Sequence, residues 1–263
     1  MPYQQILEKR CELLKNYSSL KAIELLEALS SLHGFISIHD LCEVTQLSAS
    51  TVHRILQDLI QTGYVKKNED HLYKIGLNAM ALGLRINKSE YIIEAASKEM
   101  DRLNELSKET VHLIVLDENE GRYIAKREAK NQIGLKSKVG WTLPLYCTSG
   151  GKVLMAFQSQ SWIDTYLARY PLEQLTENTI HEPDKLLEEL KAIRKQGFAL
   201  DKREHHPNVV CVAAPIFDAE EKVVCSIGLS APDYRFSVEK ALSYVQEIST
   251  SAHRISELLK TNN

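Results

Sequence analysis

The 263-residue chain has no apolar run of the 18 or more residues that a membrane-crossing helix needs, and its longest candidate, Val209 to Phe217, is interrupted by Pro215. A membrane-spanning role is therefore not expected. Glycine (11) and proline (7) are too few for a collagen-like or low-complexity chain, while 44% hydrophobic and 25% charged residues match the usage of a globular protein. The five cysteines, Cys11, Cys42, Cys147, Cys211 and Cys225, are an odd number without a CxxC pair, which argues against a disulfide framework and a zinc ribbon. Behind the positive charges of Met1 to Arg10 there is no apolar segment, so no secretory signal is read and a cytoplasmic location is expected. No GxSxG, P-loop, GxGxxG or HExxH pattern occurs. Positive charge is not in excess either. The net charge is −3, and residues 1–88 hold ten Lys and Arg against nine Asp and Glu, so any nucleic-acid binding must be local.

What is present is periodicity, over a length that suits two modest domains. Leu20, Ile23 and Leu26, widened by Ala22, Leu25, Leu29 and Leu32, predict a helix from Ser19 to about Leu32, stopped by Gly34. A short helix from Ile38 to Val44 presents Ile38, Leu41 and Val44 to a core. After the turn Thr45-Gln46-Leu47, Ser48 is placed to cap a third helix, whose Val52, Ile55, Leu56, Leu59 and Ile60 share one face. Two alternating segments, Tyr64–Lys66 and Leu72–Ile75, flank the polar turn Asn68-Glu69-Asp70-His71. Three helices followed by a hairpin predict a winged helix-turn-helix. The third helix carries Ser50, Thr51, His53, Arg54 and Gln57 away from its apolar face, short or forked hydrogen-bonding groups of the kind that read base edges in the major groove. Ser48 at its small-residue start suits close approach to phosphate, and Lys66, Lys67 and Lys74 of the wing add charge.

A helical stretch from Leu77 to Leu84 leads into a longer helix with Ile92, Ile93, Ala96, Met100, Leu103 and Leu106 apolar, which together read as a connector. Strands are expected at His112–Leu116, Tyr123–Arg127, about Leu135–Val139, Phe198–Asp201, Val209–Phe217 and Val223–Ser230. Helices are expected at Ser149–Phe157, Ser161–Arg169, Pro183–Lys195 and Ser237–Leu259. Helices at both ends of a mostly antiparallel sheet predict an α+β domain. The expected boundaries are 1–18 for an N-terminal extension, 19–77 for the winged helix-turn-helix, 78–89 for the connector helix and 90–263 for the α+β domain.

At nearly full length, from about Leu20 to Leu259, the chain resembles the IclR family of bacterial transcription regulators. The resemblance lies in Leu47-Ser-Ala-Ser-Thr-Val-His-Arg-Ile-Leu56 (recognition helix), Leu143-Pro-Leu-Tyr-Cys-Thr-Ser-Gly-Gly-Lys152 (pocket loop and helix start) and Cys211-Val-Ala-Ala-Pro-Ile-Phe-Asp218 (C-terminal strand). It implies a GAF-like effector domain behind the winged helix, a homodimer made through the DNA-binding domains, and often a tetramer on operator DNA. It also implies a small carboxylate effector held by the backbone of Ser149 and Gly150 at a helix start, with Asp201 and Ser230 on ligand hydroxyls and Cys211 in the pocket wall. Gly228 stands where relatives often have Ser, and Ala49 where they often have Lys or Pro. Lys136 is either a further positive charge against the carboxylate or a surface lysine, and Trp141 either a lid or a packed turn. The regulators nearest in character respond to keto-sugar acids, as in 2-keto-3-deoxygluconate and diketogulonate catabolism, so a repressor of such an operon, with no cofactor and no resident metal, is the expectation. Two other readings stay open. Asp201, His205, His206 and Cys211 mix ligand types that zinc accepts, which would make a metal-responsive regulator, and Cys147, Cys211, His205, His206, Asp201 and Glu204 contain the groups of a cysteine hydrolase.

Overall fold

A computed structural model describes residues 18–32, 34–84, 88–131 and 134–261; the N-terminal extension up to 17 and positions 85–87 of the connector lie outside the described residues. The chain divides into two units, 1–87 and 88–263.

The first unit contains α1 (Ser18–Ser31), α2 (Ile38–Thr45), α3 (Ala49–Gln61), β1 (Val65–Lys67), β2 (Tyr73–Ile75) and α4 (Leu77–Leu84). Ser37 and Asp40 form a capping box that starts α2, and Gln46, in the left-handed region at φ 56°, ends it. Ser48 then caps α3 through its hydroxyl, which accepts the Thr51 N–H. Gly63 at φ +72° ends α3, its N–H and that of Tyr64 donating back to Ile60 and Leu59. The core is Leu25, Leu29, Leu41, Val52, Ile55 and Leu56 with Val65 and Tyr73 of the hairpin. Ile36 exchanges two backbone hydrogen bonds of 2.8 Å with Tyr73, a single bridge that ties the two-stranded wing to the segment before α2. The expected α+β organisation with an N-terminal winged helix is what the chain adopts.

The second unit begins with α5 (Lys88–Ser107) and is built on a six-stranded antiparallel sheet in the order β5-β4-β3-β8-β7-β6. The strands are β3 (Thr110–Asp117), β4 (Glu120–Arg127), β5 (Thr142–Leu143), β6 (Ala199–Lys202), β7 (Val209–Phe217) and β8 (Val223–Pro232). On one face α5 and α10 (Val245–Thr261) bury Met100, Leu103, Ile248, Ala252 and Ile255 against Val111, Leu113, Val212, Ala214, Ile227 and Leu229. On the other, α6 (Ser149–Ala156), α7 (Gln160–Arg169) and α8 (Pro183–Gln196) pack on Ile114, Ala199 and Ala213. The alternation along each strand sorts these two sets, since successive side chains point to opposite faces.

Two elements differ from expectation. No strand forms at Leu135–Val139; the edge of β4 is taken by the two-residue β5, with Gly140 and Trp141 exchanging backbone hydrogen bonds with Tyr123. The segment 134–138 is held by a side chain instead, the Lys126 ammonium donating to the carbonyls of Leu135 (3.0 Å) and Ser137 (2.7 Å). The final helix is broken at Tyr244 into α9 (Val238–Ser243) and α10, because Tyr244 turns its N–H to Ala241 and Leu242 while its ring stacks on Phe236 at 5.8 Å.

Candidate nucleic-acid interface and effector site

Helix α3 has one apolar face and one open face. Val52, Ile55 and Leu56 are buried; Ser50, His53 and Arg54 are exposed, and Thr51 and Gln57 are half-buried. Positions 50, 53, 54 and 57 follow the i, i+3, i+4, i+7 spacing of one helix side, so the structure brings these residues together. At the helix start the Ser48 hydroxyl lies 3.1 Å from that of Ser50 and 2.9 Å from that of Thr51, a cluster of small hydroxyls at the positive end of the helix dipole. The Arg54 guanidinium donates to the Ser18 hydroxyl at 3.0 Å while remaining exposed. On the wing, Lys66 and Lys74 are directly opposed across the hairpin. Like charges in that arrangement destabilise a free hairpin. Lys74 lies over the Phe35 ring at 4.6 Å and Lys67 over Tyr73 at 5.7 Å, which fixes both stems and leaves Lys66 exposed.

In the second unit, Thr148 caps α6, its hydroxyl accepting from Gly151 N–H and donating to the Pro144 carbonyl. Ser149 and Gly150 are therefore the first two helical residues, whose N–H groups have no acceptor within the helix. Both are buried. A side chain at Gly150 would place a Cβ 2.4 Å from Ile114 Cδ1, so glycine lets this helix start approach the sheet without moving the Ile114 side chain. The Ser226 hydroxyl donates to the Gly150 carbonyl at 3.2 Å and ties the two together.

On the side of the sheet that α6 covers, Asp201, Cys211, Ser230 and Thr110 are opposed in one row across β6, β7, β8 and β3, and Ala199, Ala213, Gly228 and His112 form a parallel row one pleat away. The sequence-predicted Asp201, Cys211, Ser230 and Gly228 thus share one sheet face. Asp201 is almost fully buried and its Oδ1 accepts the Glu204 N–H at 2.7 Å. Burial, with the Glu204 charge second, pushes its carboxyl up to about 7. Burial and the neighbouring Asp201 also raise the Cys211 thiol well above its usual range. At Gly228 a Cβ would meet the Val212 carbonyl at 2.7 Å and Ala213 Cβ at 2.9 Å, so the glycine contributes space and not a hydrogen bond.

Lys136 is exposed on a segment that forms no strand, an arrangement in keeping with the surface-lysine alternative. Trp141 is a packed turn residue: its carbonyl accepts from Tyr123 and its ring carries the Lys138 ammonium at 5.7 Å. The residues that the sequence reading missed are Thr110, His112, Tyr123, Lys126 and Ser137. His112 is buried, its Nε2 is 2.7 Å from the Ser137 hydroxyl, and its ring lies 4.5 Å from that of Tyr123. Burial, then Lys126, lowers its imidazole to about 3, so it is neutral. The signal was a polar residue at an inward strand position between apolar neighbours.

Lys152, three residues into α6 from Ser149, is fully buried and donates to Glu189 (3.0 Å) and to both oxygens of Glu204 (2.7 and 2.8 Å). Because Glu204 N–H also holds Asp201, this ion triad fixes the acid relative to the helix start.

The two rival site readings lack geometry. Among the described residues, the His/Cys/Asp/Glu group whose ligand atoms fall within 4.8 Å of one another is the exposed set His39, Asp40 and Glu43, not Asp201, His205, His206 and Cys211. The Cys147 and Cys211 thiols are raised by burial, which keeps them protonated, the reverse of an activated nucleophile.

Comparison with known proteins accounts for both units. Residues 18–69 match the family model described as the IclR helix-turn-helix domain, and residues 84–257 match Bacterial transcriptional regulator IclR C-terminal. The chain is 35% identical over 240 residues to the HTH-type transcriptional regulator KdgR of Escherichia coli strain K12, covering 91% of each. It is 29% identical to the DNA-binding transcriptional repressor YiaJ of the same organism, over 92% of this chain and 87% of that one. Among solved structures it matches the Thermotoga maritima IclR at 32% identity and TM-score 0.76, over 91% of this chain and 97% of that one.

Proposed function

The chain belongs to the IclR family of bacterial transcriptional regulators, proteins that bind DNA and are not enzymes, and within that family we propose that it represses a sugar-acid or keto-sugar-acid catabolic operon. The observation that carries the effector part is that two unlike groups belong to one side of the sheet, the side on which α6 packs. The buried start of α6, Ser149 and Gly150, suits a carboxylate, and the row of Asp201, Cys211 and Ser230 suits hydroxyls. The 35% identity to KdgR supports the regulator class.

In this reading Ser50, Thr51, His53, Arg54 and Gln57 contact bases or phosphates of operator half-sites, Ser48 approaches a phosphate, and Lys66, Lys67 and Lys74 add charge beside them. The protein works in the cytoplasm as a homodimer, and as a tetramer on DNA. Leu77, Met80 and Leu82 of α4 are each more than half exposed, apolar surface that supports self-association. A bound acid needs a differential affinity of only about 1–3 kcal/mol between DNA-binding and released states to change operator affinity by roughly five- to 150-fold.

The test is fluorescence anisotropy on the protein's own upstream DNA at stated salt, with and without sugar acids and keto acids. Nanomolar binding released by one acid is the expected result. Arg54→Ala should lose the operator and keep the acid, and Ser149→Trp the reverse; equal loss of both activities in each variant would overturn the two-site reading.

A further inference from the structure

Thr110 is the least satisfied buried side chain among the described residues of the second unit. Its side chain is fully buried, and its hydroxyl is the buried side-chain polar atom that has no hydrogen-bond partner among the described residues. Valine in its place would fill the same volume without leaving a donor and acceptor unpaired, so the fold gains nothing from the hydroxyl. Thr110 is directly opposed to Ser230, which is opposed to Cys211, which is opposed to Asp201. Opposed residues of an antiparallel sheet project to the same face, so the unpaired hydroxyl ends the row, on the side of the sheet on which α6 packs. Beside it stands the neutral His112, already joined to Ser137.

We propose that Thr110 is a hydroxyl-recognising residue of the effector site, selecting a polyhydroxylated acid of five or six carbons over a two- or three-carbon keto acid; this rests on the effector reading above. Length supports it. Neighbouring strands are about 4.8 Å apart, so three gaps separate Thr110 from Asp201 by roughly 14 Å. An extended chain advances about 1.2 Å per bond, so a six-carbon acid with its terminal oxygens is roughly 8 Å long. Held by its carboxylate at the start of α6, such an acid carries hydroxyls along the rest of its length, enough for hydrogen bonds of about 2.8 Å to more than one position of the row. Pyruvate, about half as long, reaches only adjacent positions of the row.

The experiment is calorimetric titration of the full chain, wild type and Thr110→Val, with 2-keto-3-deoxygluconate and with pyruvate, alongside thermal unfolding without ligand. Wild type should prefer the longer acid. Thr110→Val should weaken that acid about three- to tenfold, the worth of one hydrogen bond, and change pyruvate by less than twofold. Thr110→Ser, which keeps the hydroxyl, should restore the preference. Without ligand, Thr110→Val should unfold about 2 °C or more above wild type. Equal weakening of both acids, or no weakening of either, overturns the role of Thr110 and leaves the site standing. Failure of wild type to bind either acid, with Ser149→Trp indifferent as well, removes the site and this role together.

Discussion

Replacing Asp201 with asparagine should stabilise the second unit, and by an amount that depends on pH. The carboxyl is held at about 7 in the folded protein, first by burial and then by the Glu204 charge, against about 3.9 when unfolded. A folded-state pKa raised above the unfolded one contributes stability that is fully present below about 4 and is lost as pH rises through about 7. Between pH 5 and pH 8 the protonated form disappears, and with it roughly 2–3 kcal/mol of wild-type stability. Asparagine keeps a carbonyl oxygen for the Glu204 N–H and never charges. His112 and His205 have lowered imidazoles, near 3 and 4, and so act in the opposite direction, losing their contribution as pH falls below about 6.5. Their effect is common to both proteins and cancels in the difference. Urea unfolding of wild type and Asp201→Asn at pH 5 and pH 8 should therefore show the variant's advantage growing by roughly 2–3 kcal/mol at the higher pH. An advantage that is the same at both values within about 0.5 kcal/mol would mean that Asp201 is ionised throughout, and the account of its burial would be wrong.

Lys152→Met should cost roughly 3–5 kcal/mol in denaturant unfolding, since it leaves Glu204 buried without the ammonium that both its oxygens accept from; a loss under about 1 kcal/mol would show the triad is dispensable. Lys66→Ala should weaken operator binding at all sequences alike and reduce the slope of log affinity against log salt by about one. It should also slightly stabilise the free wing, because Lys66 and Lys74 are opposed. The Thr110→Val and Asp201→Asn effects on stability, at opposite ends of a row about 14 Å long, should add within about 0.5 kcal/mol; a larger departure in the double variant would reveal coupling through Ser230 and Cys211.

Much of this architecture was legible because helix α3 and the strands bury their apolar residues at their own periods. Val52, Ile55 and Leu56 mark the buried face of α3 so sharply that its open face is read by subtraction, and Val209–Phe217 was placed to the residue. The failures share a cause. Segment 134–138 has its carbonyls satisfied by the Lys126 ammonium from another strand, which no local pattern announces, and the two-residue β5 is too short to show a period. Tyr244 breaks the last helix with neither glycine nor proline, through its own backbone turn and a ring stacked on Phe236. At the proposed effector site Asp201, Cys211, Ser230, Ser149 and Gly150 came from family likeness, whereas Thr110 and His112 needed the register of β3 against β8.

The two faces of the sheet explain why the costly groups gather where they do. Under α5 and α10 the face is uniformly apolar, with Val111, Leu113, Val212, Ala214, Ile227 and Leu229. The other face is apolar only under the body of α6, α7 and α8, at Ile114, Ala199 and Ala213. Beyond the start of α6 it carries a carboxyl that burial disfavours as an anion, a thiol held protonated, an imidazole held neutral and a hydroxyl with no partner. Hydrophobic residues in the same row would make a more stable protein, and the opposite face shows that these strands accept them. Near neutral pH the thiol, imidazole and hydroxyl of this region are uncharged, the Glu204 carboxylate beside them is paired with the Lys152 ammonium, and Asp201 gains negative charge as pH rises through about 7. A row that is costly to fold and rich in donors is what the proposed effector site requires, and at Gly228, where a Cβ would meet the Val212 carbonyl of the adjacent strand, the floor stays bare.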